Sequence, residues 1–114
     1  MVLETDFVYR LETEFEDFNE DLLLKPYGYQ QLCAQLGDTH LNKIDLNVDT
    51  TMKSNLSWVL TSLSIEITKA VKGNITVNGK TWHSGRKGPL FRREYIFSDD
   101  NDKILFKAAS FSVL

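Results

Sequence analysis

The sequence predicts an α+β fold in which one helix packs on a five-stranded antiparallel sheet. Apolar residues recur once at the helical period of 3.6 residues and elsewhere at the strand period of two. Short turn signals separate the last four strand candidates, which favours antiparallel pairing of consecutive strands. With 114 residues the chain has the size of one domain, residues 1–114. The helix can then bury its apolar stripe only on that sheet.

Composition and charge exclude several classes of protein. Apolar residues make up 42% of the chain and charged residues 25%, as in ordinary folded proteins. The net charge of −3 gives no basic excess for binding phosphates, so nucleic acid is not an expected partner. The single cysteine excludes a disulfide framework and a thiolate zinc site. Neither a membrane span nor a signal peptide is recognisable, and we expect a cytoplasmic protein without metal or cofactor.

The first strand candidate covers residues 7–12, where Phe7, Tyr9 and Leu11 share one face at period two. A loop rich in carboxylates follows. Its acidic residues are Glu14, Glu16, Asp17, Glu20 and Asp21. One interpretation is a solvated loop whose negative charge favours the N-terminus of the next helix.

The helix is predicted over residues 25–37. Its apolar stripe, spaced at i, i+3, i+4 and i+7, consists of Tyr29, Leu32, Cys33 and Leu36. Pro26 suits the first turn, and Gly37 suits the position just past the end. Gly28 weakens the helix start unless the backbone packs closely there. The polar residues 38–55 that follow predict either a short additional helix or a flap.

Four strand candidates complete the chain, at residues 56–67, 75–82, 90–97 and 104–114. Turn signals lie between them, at residues 72–74, 84–89 and 98–102. In the last strand the alternation changes parity after Ala108, which predicts a bulge near residues 108–110. A long antiparallel sheet wrapped around one central helix is the hot-dog architecture. Such sheets join edge to edge to cover an exposed strand, so we expect a dimer.

Five motifs follow one another along these elements. They are Ser57-Trp58-Val59-Leu60, Ile65-Glu66-Ile67, Thr81-Trp82, Arg93-Glu94-Tyr95-Ile96-Phe97 and Ala109-Ser110-Phe111-Ser112-Val113-Leu114. Their order and spacing resemble the acyl-ACP thioesterase family, which has a W-V-L strand, a T-W strand end, an R-[DE]-[FY] strand and a closing A-x-S-x-W-V-L. Phe111 stands where the family usually has Trp. The predicted helix resembles the family's Q-E-A-A helix, with Gln30 or Gln31 at the Gln position.

The resemblance implies a hot-dog fold and hydrolysis of fatty acyl thioesters in fatty acid biosynthesis. Family members carry two hot-dog repeats, and this sequence resembles the first, which holds much of the acyl pocket. The implied substrate is an acyl carrier protein or acyl-CoA thioester, and the implied assembly is a homodimer or pairing with a second repeat. The family's catalytic motif, [DN]-x-N-x-H-x-N-N, belongs to the second repeat and is absent here. A non-catalytic acyl-binding or structural module is therefore the alternative, and the apolar ending at residues 111–114 suggests a cut between repeats or a half-length relative.

Thioester hydrolysis needs a base, an oxyanion hole and an apolar slot for the acyl chain. Single-repeat hot-dog thioesterases often place an acidic residue in the loop before the central helix. By that resemblance the catalytic candidates are Glu16, Asp17 and a water oriented by Asn19. Gly28 would let a thioester carbonyl approach the N–H groups of the helix start. An ordinary solvated loop is the alternative.

Other side chains are candidates for substrate and carrier binding. Trp58, Leu60 and Trp82 could line the acyl slot, with plain sheet packing as the alternative. A basic set on and beside one turn could attract an acidic carrier protein or a phosphopantetheine phosphate. It consists of Arg86, Lys87, Arg92 and Arg93. His40 and His83 are too isolated in sequence to form a metal pair, and Cys33 is predicted to be a core residue.

Overall fold

The computed structural model describes residues 9–13, 15–43, 53, 58–73 and 76–113. Its elements are β1 (Tyr9–Glu12), a short 3₁₀ helix (Phe15–Asp17), α1 (Pro26–Lys43), β2 (Val59–Ile67), β3 (Thr76–Lys87), β4 (Leu90–Ser98) and β5 (Ile104–Val113). One long helix on a five-stranded antiparallel sheet confirms the predicted fold class. In the part of the chain that is described, no helix is long and apolar enough to cross a membrane.

The strands lie side by side in the order β1-β3-β4-β5-β2. Consecutive pairing is confirmed for β3, β4 and β5, but β2 pairs with β5 at the far edge instead of with β3. The expectation of a four-stranded meander is therefore wrong for β2. The connection after β2 explains the difference, because it crosses to the loop before α1. There the Val71 carbonyl accepts a hydrogen bond from the Leu24 N–H, and the Val71 N–H donates to the Tyr29 hydroxyl.

The core lies between α1 and one face of the sheet. The predicted stripe of Tyr29, Leu32, Cys33 and Leu36 is buried there against sheet residues such as Phe97. The helix does not end at Gly37 as predicted but continues to Lys43. Gly37 instead lies inside the helix, where a Cβ would stand 3.5 Å from the Tyr95 hydroxyl oxygen. An added Cβ would therefore make an ordinary van der Waals contact with the sheet, and packing does not require a glycine here.

Two details of the strands also differ from expectation. The turn predicted at residues 84–89 is only Gly88-Pro89, because a bulge at Ser84 lets β3 continue to Lys87. The bulge predicted at residues 108–110 is not found. The alternation continues inward to Ser110, and register shifts occur instead at Thr61 and Leu105.

Parts of three predictions fall outside the described residues. Residues 38–43 of the predicted polar segment complete α1, whereas 44–52 and 54–57 are not described. The same is true of Phe7, at the start of the first strand candidate, and of Asn74 in the first turn signal.

Candidate functional site

A trough runs along α1 because the helix packs mainly over β1 and β3 and leaves space above the edge strand β2. Its middle section has a volume of about 280 Å³ and is apolar on the sheet side, where Leu60 and Leu63 face it. Cys33 and Ala34 form the helix side of this section. Together with Tyr95 they also line a smaller inner cavity of about 110 Å³, towards the end of the helix. The two sections are therefore neighbours along one trough.

A polar depression at the helix start adjoins the middle section and forms the mouth of the trough. Glu16 and Asp17 line this depression together with Gly28. Tyr27 and Gln31 belong both to the depression and to the middle section. The structure thus brings two of the predicted catalytic carboxylates to the mouth of an apolar trough.

Asn19 does not join these carboxylates. Its side-chain oxygen accepts hydrogen bonds from the Asp21 N–H at 2.9 Å and the Leu23 N–H at 3.0 Å. These bonds stabilise the loop in which Leu22 adopts a positive φ of 61°. Asn19 is exposed and is not among the residues that line the depression. Its side-chain oxygen therefore stabilises the loop and is not directed at the helix start.

Gly28 is buried by its own loop. A Cβ at this position would lie 2.4 Å from Cδ1 of Leu24 and 3.4 Å from Cβ of Asp17. Its N–H already donates to the Lys25 carbonyl at 2.8 Å. Close packing of the loop against α1 therefore explains the glycine, and this particular N–H has an intrachain acceptor.

The predicted acyl-slot residues divide between the two faces of the sheet. Leu60 lines the middle section, and Trp58 lines the inner cavity. The Trp58 ring stacks on His83, with centroids 6.2 Å apart, and meets Phe91 edge-on at 5.5 Å. Trp82 points to the outer face, because it precedes the inward-facing His83 on β3. Trp82 is therefore not part of the trough.

Sequence reasoning missed the polar cluster beside the inner cavity. The Arg93 guanidinium lies 2.8 Å from Nδ1 of His40, 3.1 Å from the Thr81 hydroxyl and 3.1 Å from Nε2 of His83. Arg93 is only 6% exposed and His40 only 1%. Two signals could have found the cluster. Arg93 has the same strand parity as Tyr95, and His40 continues the helix stripe one turn beyond Leu36.

The chemistry of arginine determines the protonation state of both histidines. A guanidinium has donors only, so the ring nitrogens that face Arg93 must be acceptors. His40 then carries its proton on Nε2 and His83 on Nδ1, and both rings are neutral. The guanidinium thus contacts two ring nitrogens and one hydroxyl of the described residues.

Two further groups face the inner cavity. The hydroxyls of Tyr95 and Ser110 share a hydrogen bond of 3.1 Å, and both residues are buried. Burial raises the pKa of Tyr95, so this hydroxyl stays protonated at neutral pH. Burial also raises the pKa of the Cys33 thiol to about 12, which removes its thiolate at neutral pH. This agrees with the prediction that Cys33 is a core residue.

The predicted basic set is not a single patch. Arg93 belongs to the buried cluster, because it faces the helix side of β4. Arg86 extends over the Phe91 ring, 5.1 Å from its centroid, on that same side of the sheet. Arg92 lies on the opposite side and pairs with Glu94 at 2.9 Å, which lowers the pKa of Glu94 through the hydrogen bond. The exposed Lys87 follows Arg86 at the end of β3.

Metal binding is not indicated within the described ranges. They contain no group of three or more His, Cys, Asp or Glu side chains placed to hold a metal ion. The chemistry available at the trough is therefore that of carboxylates, hydroxyls, a buried guanidinium and apolar walls.

The single helix on its antiparallel sheet, with a trough between them, defines a hot-dog domain of the thioesterase type. The family model described as the acyl-ACP thioesterase N-terminal domain matches residues 4–114. The chain therefore belongs to the acyl-ACP thioesterase family and corresponds to its N-terminal domain. This confirms the resemblance recognised in the sequence motifs. No curated protein sequence matches the chain.

Solved structures share the fold at low sequence identity. An acyl-ACP thioesterase from Bacteroides thetaiotaomicron superposes with a TM-score of 0.88 and 18% identity, covering 98% of this chain and 47% of that one. An oleoyl thioesterase (putative) from Lactobacillus plantarum superposes with a TM-score of 0.87 and 14% identity, covering 94% of this chain and 42% of that one. A DHNA-CoA thioesterase from Staphylococcus aureus superposes with a TM-score of 0.84 and 11% identity, covering 93% of this chain and 71% of that one. The chain thus spans about half of the first two structures and most of the third.

Proposed function

We propose that this chain supplies the acyl-binding half of an enzyme that hydrolyses fatty acyl thioesters. The observation that carries the proposal is the trough along α1, which joins the carboxylates of Glu16 and Asp17 to an apolar interior. A thioester at the helix start would extend its acyl chain past Leu60 and Leu63 towards Trp58. Membership of the acyl-ACP thioesterase family supports the same reaction.

The reaction can be written with the groups at the mouth of the trough. A carboxylate, from Glu16 or Asp17, takes a proton from water, and the water oxygen attacks the thioester carbonyl carbon. N–H groups at the start of α1 are suited to stabilise the resulting oxyanion. The intermediate collapses with cleavage of the carbon–sulfur bond. The thiolate leaves and takes up the proton, and the fatty acid remains.

A second hot-dog unit is part of this proposal, either a second copy of the chain or a second repeat. On β2, Val59 is 53% exposed and Leu60 is 58% exposed at the free edge of the sheet. Antiparallel pairing of two β2 strands about a two-fold axis would cover these side chains and continue the sheet.

The same pairing gives a role to the basic hairpin, which is the β3–β4 turn with Arg86 and Lys87 at the end of β3. Arg86 and Lys87 lie at the end of the sheet opposite to Glu16, so within one chain they are far from the thioester. A two-fold axis reverses the partner, and the partner's hairpin then approaches the helix start of this chain. There its positive charge could attract an acidic carrier protein or the phosphopantetheine phosphate of CoA. A cytoplasmic location is part of the same proposal.

A non-catalytic acyl-binding module is the second candidate. It is favoured by the intrachain hydrogen bonds of Gly28 N–H and of the Asn19 side chain, which occupy two groups that catalysis was predicted to use. In that case another hot-dog chain would supply the base.

Hydrolysis assays with purified protein separate the two candidates. We expect release of free thiol from palmitoyl-ACP, and more slowly from palmitoyl-CoA, in the presence of the chain. Absence of turnover together with tight binding of the fatty acid would support the non-catalytic module. Absence of both turnover and binding would contradict both.

A further inference from the structure

The inner end of the trough is more polar than the binding of a plain alkyl chain requires. Tyr95, Ser110 and Ser112 bring hydroxyl groups to a cavity that is also lined by apolar side chains such as Trp58 and Leu41 and by the polar residues Asp38, His83 and Arg93. The cavity of about 110 Å³ is smaller than the ~150 Å³ cavity that accommodates benzene in an engineered protein core. It can therefore hold only the distal part of an acyl chain.

The hydroxyl pair of Tyr95 and Ser110 has an unused donor. Each hydroxyl carries one hydrogen, and their mutual bond of 3.1 Å uses only one of the two. Among the described residues, neither hydroxyl makes another hydrogen bond. Both residues are buried, and both line the inner cavity. The remaining hydrogen can therefore be donated to an oxygen of a ligand in this cavity.

The position of the pair along the helix specifies where that oxygen would be. The Tyr95 hydroxyl lies beside Gly37, where a Cβ would be 3.5 Å away. At about 1.5 Å of rise per residue, Gly37 lies about 13 Å along the axis from Gly28 at the trough mouth. A chain that starts at the mouth thus reaches the pair with its middle or distal carbons.

We infer that the chain prefers acyl groups carrying a hydroxyl or oxo oxygen in the middle or distal part, which accepts a hydrogen bond from the Tyr95–Ser110 pair. This inference rests on the proposed acyl-binding function and specifies its substrate class. A plain alkyl tail would bury the donor without an acceptor, which weakens binding. An oxygen at the matching carbon satisfies the donor, while the neighbouring methylenes contact Trp58 and Phe91.

Calorimetric binding of fatty acids tests the inference without depending on hydrolysis. The probes are stearic acid and a series of mid-chain monohydroxystearic and monooxostearic acids. Wild type should bind the best-matched oxygenated acid about fivefold more tightly than stearic acid, as for one buried hydrogen bond. The double variant Tyr95→Phe/Ser110→Ala should remove this preference while retaining affinity for stearic acid, because either single variant keeps one hydroxyl whose hydrogen is free to be donated. Ser64→Ala, which removes an exposed hydroxyl on β2, should leave the preference unchanged.

The outcomes distinguish failure of the inference from failure of the proposed function. Equal affinity for all the acids, or a preference that persists in the double variant, would overturn the inference and leave acyl binding intact. A preference observed without any thioester hydrolysis would support the inference and count against catalysis. If no acid binds at all, both the inference and the proposed function are wrong. Melting temperatures identify a double variant that fails to fold, and the comparison of the acids on the wild type then decides.

Discussion

The guanidinium of Arg93 lies 2.8 Å from Nδ1 of His40, inside the domain and across the interface between β4 and α1. Because arginine only donates, His40 must accept, and its ring is neutral. The same guanidinium contacts Thr81 and His83, so one buried cation connects the helix to two strands. This contact links the end of α1, beyond the predicted helix limit, to the wall of the inner cavity.

Arg93→Ala should destabilise the protein by about 2–3 kcal/mol, because His40, Thr81 and His83 would lose their common donor in a buried environment. Urea unfolding followed by circular dichroism measures this change. Arg92→Ala is the matched control, since the exposed Arg92 pairs with Glu94 and lies over the Phe111 ring, and its loss should cost much less than the loss of Arg93. Equal losses for the two variants would contradict the importance of the buried cluster.

Glu16→Gln and Asp17→Asn test the proposed base. If the chain hydrolyses acyl thioesters by itself, loss of the base should reduce kcat by a factor of about 10²–10⁴. Glu20→Gln is the control, because Glu20 is exposed in the same loop but does not line the depression. Full activity in both test variants would show that the base lies elsewhere.

Cys33 should be inert towards thiol reagents at neutral pH in the folded protein and should react rapidly after unfolding. Burial raises its pKa from the ordinary value of 9.0 to about 12, so the unfolded thiol ionises first. The stability that this group contributes is therefore fully present below a pH of about 9 and is lost as the pH rises towards 12. Cys33→Ala should remove this alkaline loss and retain any hydrolysis. Loss of activity with normal folding would indicate a catalytic thiol.

Leu60→Lys should weaken self-association, because it places a charge on the exposed edge strand that we propose as the pairing surface. Light scattering across micromolar concentrations reports the mass. Leu22→Lys is the control, because Leu22 lies in the loop before α1 and is 48% exposed, compared with 58% for Leu60. This variant should have the same mass in solution as the wild type. A wild-type chain that remains monomeric at high micromolar concentration would rule out the homodimer and favour pairing with a second repeat.

Gly79→Ala should destabilise the domain by about 1–3 kcal/mol through overpacking. A Cβ there would lie 2.8 Å from Cδ2 of the fully buried Leu36 and 3.3 Å from Cε1 of Phe97. Gly85→Ala is a matched change on the same strand, with no heavy atom within 4 Å of the added carbon. We expect that control to stay within about 0.5 kcal/mol of wild type in urea unfolding. Similar effects at both glycines would contradict the packing argument.

Local patterns predicted the elements but not all of their ends. The helix stripe and the strand alternation arise from burial of one face, which the spacing of apolar residues reveals. The end predicted at Gly37 was wrong because a glycine inside a helix has the same sequence signal as a glycine at a helix terminus. The turn predicted from residue 84 onward was too long for a similar reason, since the polar bulge at Ser84 within β3 has the sequence signal of a turn. Such positions depend on a neighbour that is distant in sequence.

The candidate site was predictable in part. The motifs identified the family, and the acidic loop before α1 placed Glu16 and Asp17 near the helix start. The burial of Arg93 was not predicted, because its cost is offset by His40, which lies 53 positions away along the chain. The outward direction of Trp82 was missed because Trp82 was chosen as a lining residue for its aromatic side chain. That choice did not consider which face of the sheet the residue occupies.

By itself, the sequence determined one helix, the antiparallel strands and membership of the acyl-ACP thioesterase family, because periodicity and motif order are properties of neighbouring residues. Only the tertiary structure decided that β2 lies at the sheet edge, that Glu16 lies beside the start of α1, and that Tyr95 meets Ser110. These relationships depend on strand order and on hydrogen bonds between separate strands. Residue spacing along a chain does not specify which strands become neighbours, because many pairings bury the same apolar faces.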